Sequence, residues 1–225
     1  MNRTKVIATV GPACANKKIL QKLISHGVSC FRINLSHGSA LDKANYFDLI
    51  RSLEMPSGLR PTILADLAGP KIRVKDLEAP ILVTKGDKIE LSNEKIEDGT
   101  IPVSSGVRFQ KVNPGAQILI DDGRVSLKVL EYVTDQTLSC EALEDGTIEN
   151  GKGVNFPEIA LDVPVLTDQD EKDLLLSLQK EADWIALSFV RSPSDYSLIS
   201  SKIKEAGYKT PVMAKIEKWE AVQNL

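Results

Sequence analysis

Arg32, Asn34 and Ser36 alternate along the run Cys30-Phe31-Arg32-Ile33-Asn34-Leu35-Ser36-His37-Gly38. Strand side chains alternate between faces. Phe31, Ile33 and Leu35 therefore form one apolar face. The opposite face holds a fixed cation and two neutral oxygen-bearing groups, with the imidazole of His37 at its end. A guanidinium set beside a core needs an anion. That anion is either a ligand at the strand's C-terminal end or a carboxylate of a neighbouring strand; otherwise the face is a solvated edge. Lys215 and Glu217 stand two apart in Pro211–Glu217 and share a face with Met213. Such an ammonium could stabilise charge developing on a substrate and such a carboxylate could bind Mg²⁺; alternatively the two simply pair in solvent. Asp66, beside Gly69, is either a cation ligand or a turn cap. Lys71, Arg73 and Lys152 add cations that either clamp phosphates, the arginine with its planar fork, or stay hydrated.

The elements that must position these groups follow a β/α rhythm. Lys5–Val10 reads as a buried strand stopped at Gly11-Pro12. Asn16 can cap a helix carrying Ile19, Leu20, Leu23 and Ile24, which Gly27 ends and whose last turn carries His26. Val28–Ser36 is the second strand. Leu41, Ala44, Leu49, Ile50 and Leu53 predict a second helix, and Pro61–Leu67 a third strand. Alternating strands and helices imply parallel pairing through crossovers. From Val74 to Asn155 helical periodicity disappears. Short β-like runs replace it, at Ile81–Val83, Lys88–Leu91, Gln117–Ile120, Val125–Tyr132 and Thr137–Glu141. Turns at Lys85-Gly86-Asp87, Asp98-Gly99, Asn113-Pro114-Gly115, Asp122-Gly123 and Asp145-Gly146 separate them, which predicts an inserted all-β module. The α/β rhythm then resumes. Thr167 and Asp170 suit an N-cap before Glu171–Glu181, Trp184–Val190 is a strand, and Ser192-Pro193 opens a helix bearing Leu198, Ile199 and Ile203. Pro211–Glu217 is the fifth strand and Trp219–Leu225 starts another helix. The expectation is an α/β chain: an incomplete TIM (β/α)₈ barrel over 1–73 and 155–225, with a barrel-like all-β domain inserted at 74–154. Five units cannot close an eight-stranded barrel, so the chain reads as the front part of something longer.

Composition narrows the partners. The formal net charge is -3, which leaves no basic footprint for nucleic acid. No apolar run approaches the ~18 residues of a membrane helix. Met1–Lys5 leads into a strand-like run without an apolar leader, so a cytoplasmic location is expected. Cys14, Cys30 and Cys140 are widely spaced and odd in number, which suits reduced thiols better than a disulfide or metal framework.

Seven stretches together resemble the pyruvate kinase family. They are TKVIATVGPA at Thr4–Ala13, FRINLSHG at Phe31–Gly38, DLAGPKIR at Asp66–Arg73, DDGRVSLKV at Asp121–Val129, GKGVNFP at Gly151–Pro157, LSFVR at Leu187–Arg191 and AKIE at Ala214–Glu217. The resemblance implies a barrel domain interrupted by a β-rich lid. It also implies phosphoryl transfer from phosphoenolpyruvate to ADP, giving pyruvate and ATP in glycolysis, with Mg²⁺ or Mn²⁺ and K⁺, in an enzyme that is a homotetramer. By the same resemblance, Arg32 grips the transferring group and Lys215 stabilises enolate-like charge. Asn34, Ser36, Asp66 and the Leu67 carbonyl hold K⁺, and Glu217 binds the divalent ion. Asn34, His37, Arg73 and Lys152 face the nucleotide. Many members have Asp-Thr-Lys-Gly where this chain has Asp66-Leu67-Ala68-Gly69, which removes a hydroxyl and a lysine beside the K⁺ ligands. The family's second carboxylate ligand would follow Leu225. The 225 residues alone are therefore expected to be inactive, either as part of a working kinase or as a non-catalytic remnant with weak nucleotide or phosphate binding.

Overall fold

The computed structural model describes residues 4–56, 58–94, 99–104, 109–157, 164–217 and 219–225. The chain divides into two compact units, Met1–Pro70 with Val165–Leu225, and Lys71–Pro164. Asp98 of the expected Asp98-Gly99 turn lies outside the described residues.

The first unit is α/β. In chain order it contains β1 (Val6–Val10), α1 (Lys17–Ser25), β2 (Val28–Asn34), α2 (Ala40–Arg51) and β3 (Thr62–Asp66). The second unit supplies β4 (Ile81–Val83), β5 (Lys88–Ser92), β6 (Thr100–Pro102), a 3₁₀ turn at Phe109–Lys111, β7 (Gln117–Ile120), β8 (Val125–Thr134), β9 (Thr137–Ala142), β10 (Gly146–Ile148) and β11 (Val154–Asn155). The chain then returns to the first unit with α3 (Asp168–Gln179), β12 (Trp184–Leu187), α4 (Pro193–Glu205), β13 (Val212–Ala214) and α5 (Trp219–Gln223). The sheet of the first unit runs β1-β2-β3-β12-β13, with every neighbour parallel. Sequential order with a helix after each strand is what consecutive β/α units produce.

Local chemistry sets the helix starts. Asn16 accepts the Lys18 N–H at 2.9 Å. Ser39 with Asp42, and Thr167 with Asp170, close reciprocal capping boxes, each satisfying two otherwise orphaned donors. The Ser39 hydroxyl also holds the Asp42 carboxyl below its ordinary range. Phe31, Ile33 and Leu35 are buried in the core as their alternation requires, and burying each is worth about 1.5–3 kcal/mol. Arg51, at the end of α2, donates to the carbonyls of Pro61 and Glu181 and pairs with Asp183 at 2.9 Å. Asp183 in turn accepts the Ile63 N–H at 2.7 Å. One guanidinium thus ties a helix end to the starts of two strands.

Some expectations shift. The second strand stops at Asn34 rather than Ser36, because the Asn34 amide oxygen accepts the Ser36 N–H at 3.1 Å and turns the chain. The strand expected over Trp184–Val190 ends at Leu187, and Phe189 takes a left-handed φ of 57°. The fifth strand shortens to Val212–Ala214, which leaves Lys215 and Glu217 just beyond its end. Leu41 and Leu198, read as core, are exposed, while Phe47 takes a buried place on α2.

The second unit is all-β. A six-stranded sheet runs β11-β7-β8-β9-β5-β6, and β10 pairs with β4 separately. Among the described residues of this sheet only β5–β6 is parallel; Pro102, which cannot donate to a ladder, sits on the edge strand β6, where it is tolerated. The sequence pattern did not announce β6, β10 and β11, which are two or three residues long. Asp121, Asp122 and Gly123 turn the β7–β8 hairpin with positive φ at all three. Phe109 and Phe156 meet in the core with ring centroids 5.9 Å apart.

Cys140, on β9, is fully buried, and desolvation pushes its thiol up to about 12. An unfolded chain releases this proton near the ordinary value of 9.0, whereas the folded chain keeps it. The contribution is therefore intact below about pH 9 and is lost toward pH 12, by about 1.4 kcal/mol per pH unit. Thermal melts of the second unit at about pH 9 and pH 10 should fall more steeply for the wild type than for Cys140→Ala. Parallel falls would show that the folded chain releases this proton as readily as the unfolded one, so that burial does not shift the thiol.

Among the described residues, no helix is long and apolar enough to cross a membrane.

Candidate functional site

The C-terminal ends of β2, β3, β12 and β13 gather four charged side chains. Register places Asn34 opposite Asp66 and Arg32 opposite Leu64. Leu67 N–H bonds the Ala186 carbonyl, and Lys215 N–H bonds the Leu187 carbonyl, both at 3.0 Å. The strand ends are thereby aligned, and their side chains converge on Asp66.

Asp66 is 3% exposed, and both its oxygens are engaged. Oδ2 accepts Arg32 Nε at 2.7 Å and Nη2 at 2.6 Å. Oδ1 accepts Lys215 Nζ at 3.0 Å, and Oδ2 receives the same ammonium at 3.3 Å. Arg32 also donates to Thr9 Oγ1 at 3.1 Å. The Arg32 and Lys215 side chains remain 32% and 29% exposed, so solvent partly screens the pairs, yet each cation keeps an open side. This answers the question posed by Arg32: its partner in the protein is a carboxylate 34 positions away. Arg32 and Lys215 share the buried Asp66, and with Glu217 beside Lys215 the four side chains sum to zero charge; what the arrangement offers an anion is the open side of each cation.

Glu217 pairs more loosely with Lys215, at 3.7 Å, and accepts the Phe189 N–H at 3.0 Å. Ser188, which sequence reasoning passed over inside a presumed strand, is 4% exposed. Its hydroxyl donates to the Leu67 carbonyl at 2.6 Å and accepts from Lys215 Nζ at 2.8 Å. The signal that could have found it is its place directly after an apolar run, where a strand meets a loop. Gly69 lies against this corner with φ 69°; a Cβ there would come within 3.1 Å of Ser188 and Phe189. Its N–H donates to Asp170 Oδ1 at 3.1 Å, which joins the loop to the α3 capping box.

The expected K⁺ ligands are all oxygens. Asp66 already takes four contacts from Arg32 and Lys215, while the Leu67 carbonyl and the Asn34 amide oxygen each accept one bond and keep a further lone pair. The donor set therefore fits a hard cation in chemical type. Among the described residues, no three His, Cys, Asp or Glu side chains cluster for a metal ion. Glu217 is the carboxylate expected to meet the divalent ion, and Mg²⁺ can be held by one carboxylate when phosphates and water complete its shell. Ser36 is half-buried and His37 exposed, both in the turn after β2.

Arg73 and Lys152 belong to the second unit, on segments that pair with each other. Arg73 bridges Gly153, the Val74 N–H bonds the Lys152 carbonyl at 2.9 Å, and Arg73 Nη1 bonds the Gly151 carbonyl at 2.9 Å. Lys152 is flanked by Glu149 and Asp121, each at 3.2 Å. Those two carboxylates hold its ammonium above the ordinary range.

Comparison with known proteins places these features in a family. A family model described as "Pyruvate kinase, barrel domain" matches residues 1–225. Pyruvate kinase 2 of Synechocystis sp. is 39% identical over 229 residues, covering 99% of this chain and 39% of that protein. Pyruvate kinases of Agrobacterium vitis and Corynebacterium glutamicum are 40% and 37% identical, again over 99% of this chain and 47% of each relative. The chain thus spans less than half the length of these curated relatives.

Proposed function

The chain belongs to the pyruvate kinase family, and from that premise we propose that it carries the phosphoryl-accommodating part of a site transferring phosphate from phosphoenolpyruvate to ADP. The carrying observation is the convergence of Arg32 and Lys215 on the buried Asp66. In the transfer, the P–O bond to the enol oxygen breaks and a bond to the terminal oxygen of ADP forms. The enolate left behind is protonated to pyruvate, with ATP as co-product. Phosphoryl transfer needs chiefly positioning and charge neutralisation. Arg32 grips the moving group, and Lys215 meets the charge that develops on the enol oxygen. Asp66 holds both cations in place before substrate arrives, so little reorganisation is needed.

Asn34, Ser36, Asp66 and the Leu67 carbonyl would hold K⁺, and Glu217 the Mg²⁺ or Mn²⁺. The divalent ion would supply neutralisation of the phosphate oxygens. Asn34, His37, Arg73 and Lys152 take the nucleotide-facing roles implied by the family resemblance. We further infer that residues 1–73 and 155–225 form part of a (β/α)₈ barrel, with 74–154 as a barrel-like lid, in a cytoplasmic glycolytic enzyme of a family whose members are homotetramers. The 225 residues alone turn nothing over. The competing reading, a remnant that only binds phosphate or nucleotide, draws on Glu217 as the one carboxylate assigned to the divalent ion among the described residues.

Two preparations separate these readings: the 225-residue chain, and the same chain fused to the remaining length of the Agrobacterium vitis relative. With phosphoenolpyruvate, ADP, Mg²⁺ and K⁺, the fusion should form pyruvate at kinase-like rates of about 1–100 s⁻¹, and the chain alone should form none. Turnover by the chain alone would overturn its proposed inactivity. A folded but inactive fusion would favour the remnant.

A further inference from the structure

We propose that the Ser188–Phe189 corner is a positioning device, with Ser188 fixing the Lys215 ammonium and the left-handed Phe189 peptide fixing the Glu217 carboxylate. The inference deepens the phosphoryl-transfer reading and rests on it for its consequence, though not for its geometry.

A serine hydroxyl has one proton and two lone pairs. The 2.6 Å contact with the Leu67 carbonyl takes the proton. The lone pairs then face outward, and one receives Lys215 Nζ at 2.8 Å. The oxygen also lies 3.3 Å from Asp66 Oδ1. A lysine has a flexible four-carbon stem and a point charge, so a carboxylate alone leaves its ammonium free to swing. Asp66 and Ser188 approach it from two elements, β3 and the end of β12, and give it a defined place.

Phe189 directs the second half. A non-glycine residue at φ 57° is uncommon, and for a bulky side chain it marks a conformation imposed by its surroundings. The result is a peptide N–H aimed at Glu217 Oε2, 3.0 Å away. Gly69 closes the back of the corner: its own left-handed φ would strain any side chain, and a Cβ would meet Ser188 and Phe189 at 3.1 Å, tighter than an ordinary contact. A serine that merely ended a strand would need only its bond to Leu67. Here Ser188 also receives Lys215, and the Phe189 N–H next to it reaches Glu217, so the corner touches both charged side chains of 215–217.

The test reads the Lys215 ammonium directly in the 225-residue chain. Its ¹⁵N-coupled proton signal, assigned by its loss in Lys215→Arg, reports hydrogen exchange with water. Ser188→Ala and the near-isosteric Ser188→Cys, a weak acceptor, should each speed that exchange by about tenfold or more, the scale of a bond to a charged group. Ser188→Thr, which keeps the hydroxyl, should restore slow exchange. Cysteine and threonine still decide the matter if the alanine variant does not melt cooperatively. Exchange within about twofold of wild type in folded Ser188→Ala or Ser188→Cys would overturn the proposal. Calorimetric titration with phosphoenolpyruvate should show about tenfold weaker binding in the alanine variant. If the wild-type chain binds none while the exchange contrast holds, the positioning stands and the substrate assignment falls.

Discussion

Replacing Lys43 with methionine should destabilise the α/β unit by about 3–5 kcal/mol, the largest stability effect expected of any single exchange here. Lys43 on α2 and Asp173 on α3 form an ion pair at 2.6 Å, with side chains only 4% and 2% exposed. Nothing in the periodicity of α2 distinguishes Lys43 from a surface lysine. Its burial requires that both charges leave water, and their mutual attraction offsets that cost only while both are present. Lys43→Met leaves the Asp173 carboxylate buried without its partner. The midpoint of thermal unfolding should drop by roughly 10–20 °C. Pairing the change with Asp173→Leu should recover most of the loss, because two apolar side chains of similar volume need no compensation. A double variant as unstable as the single would mean that the ion pair itself, rather than the orphaned charge, carries the stability.

The largest effect on chemistry belongs to Lys215. In the active fusion, Lys215→Met should lower kcat by about 10²–10³-fold, the usual consequence of losing one group aimed at developing negative charge. KM for phosphoenolpyruvate should change far less, since the role proposed for Arg32, gripping the phosphate, is untouched. Lys215→Arg should fail to rescue, because a planar fork cannot occupy the compact place between Asp66 and Ser188. Steady-state kinetics of the two variants decide the matter. A methionine variant within about tenfold of wild type would remove Lys215 from the transition state.

The legible part of this protein was its local part. Alternation around Phe31, Ile33 and Leu35 marked a strand with one core face. Thr167 and Asp170 marked a helix start, and turn residues with short apolar runs marked the β-rich unit. The unread part depends on partners far away in sequence. Asp66 looked like a cation ligand or turn cap; its two protein cations come from 34 and 149 positions away. Ser188-Phe189 continued an apolar run and so looked like strand. The left-handed Phe189 there lies beside Gly69, about 120 positions earlier in the chain, a tertiary neighbour that local propensity does not reveal. Leu41 and Leu198 fitted helical periodicity, yet no neighbouring element covers those faces among the described residues.

The paired entry and exit of the β-rich unit also bear on the order in which the chain folds. Ile63 and Asp183 meet across 120 positions of chain, a long loop to close. Yet the Val154 N–H bonds the Ile72 carbonyl at 2.9 Å, and the Gly151 N–H bonds that of Val74 at 2.8 Å. Once those segments have joined, the path left between Ile63 and Asp183 is roughly 40 residues, about a threefold shortening worth about 1 kcal/mol of closure entropy. The insertion is a shortcut for the polypeptide that hosts it. Early folding of residues 71–154 brings β3 within easier reach of β12, and mutations that delay it should slow the pairing of strands that contain none of its residues.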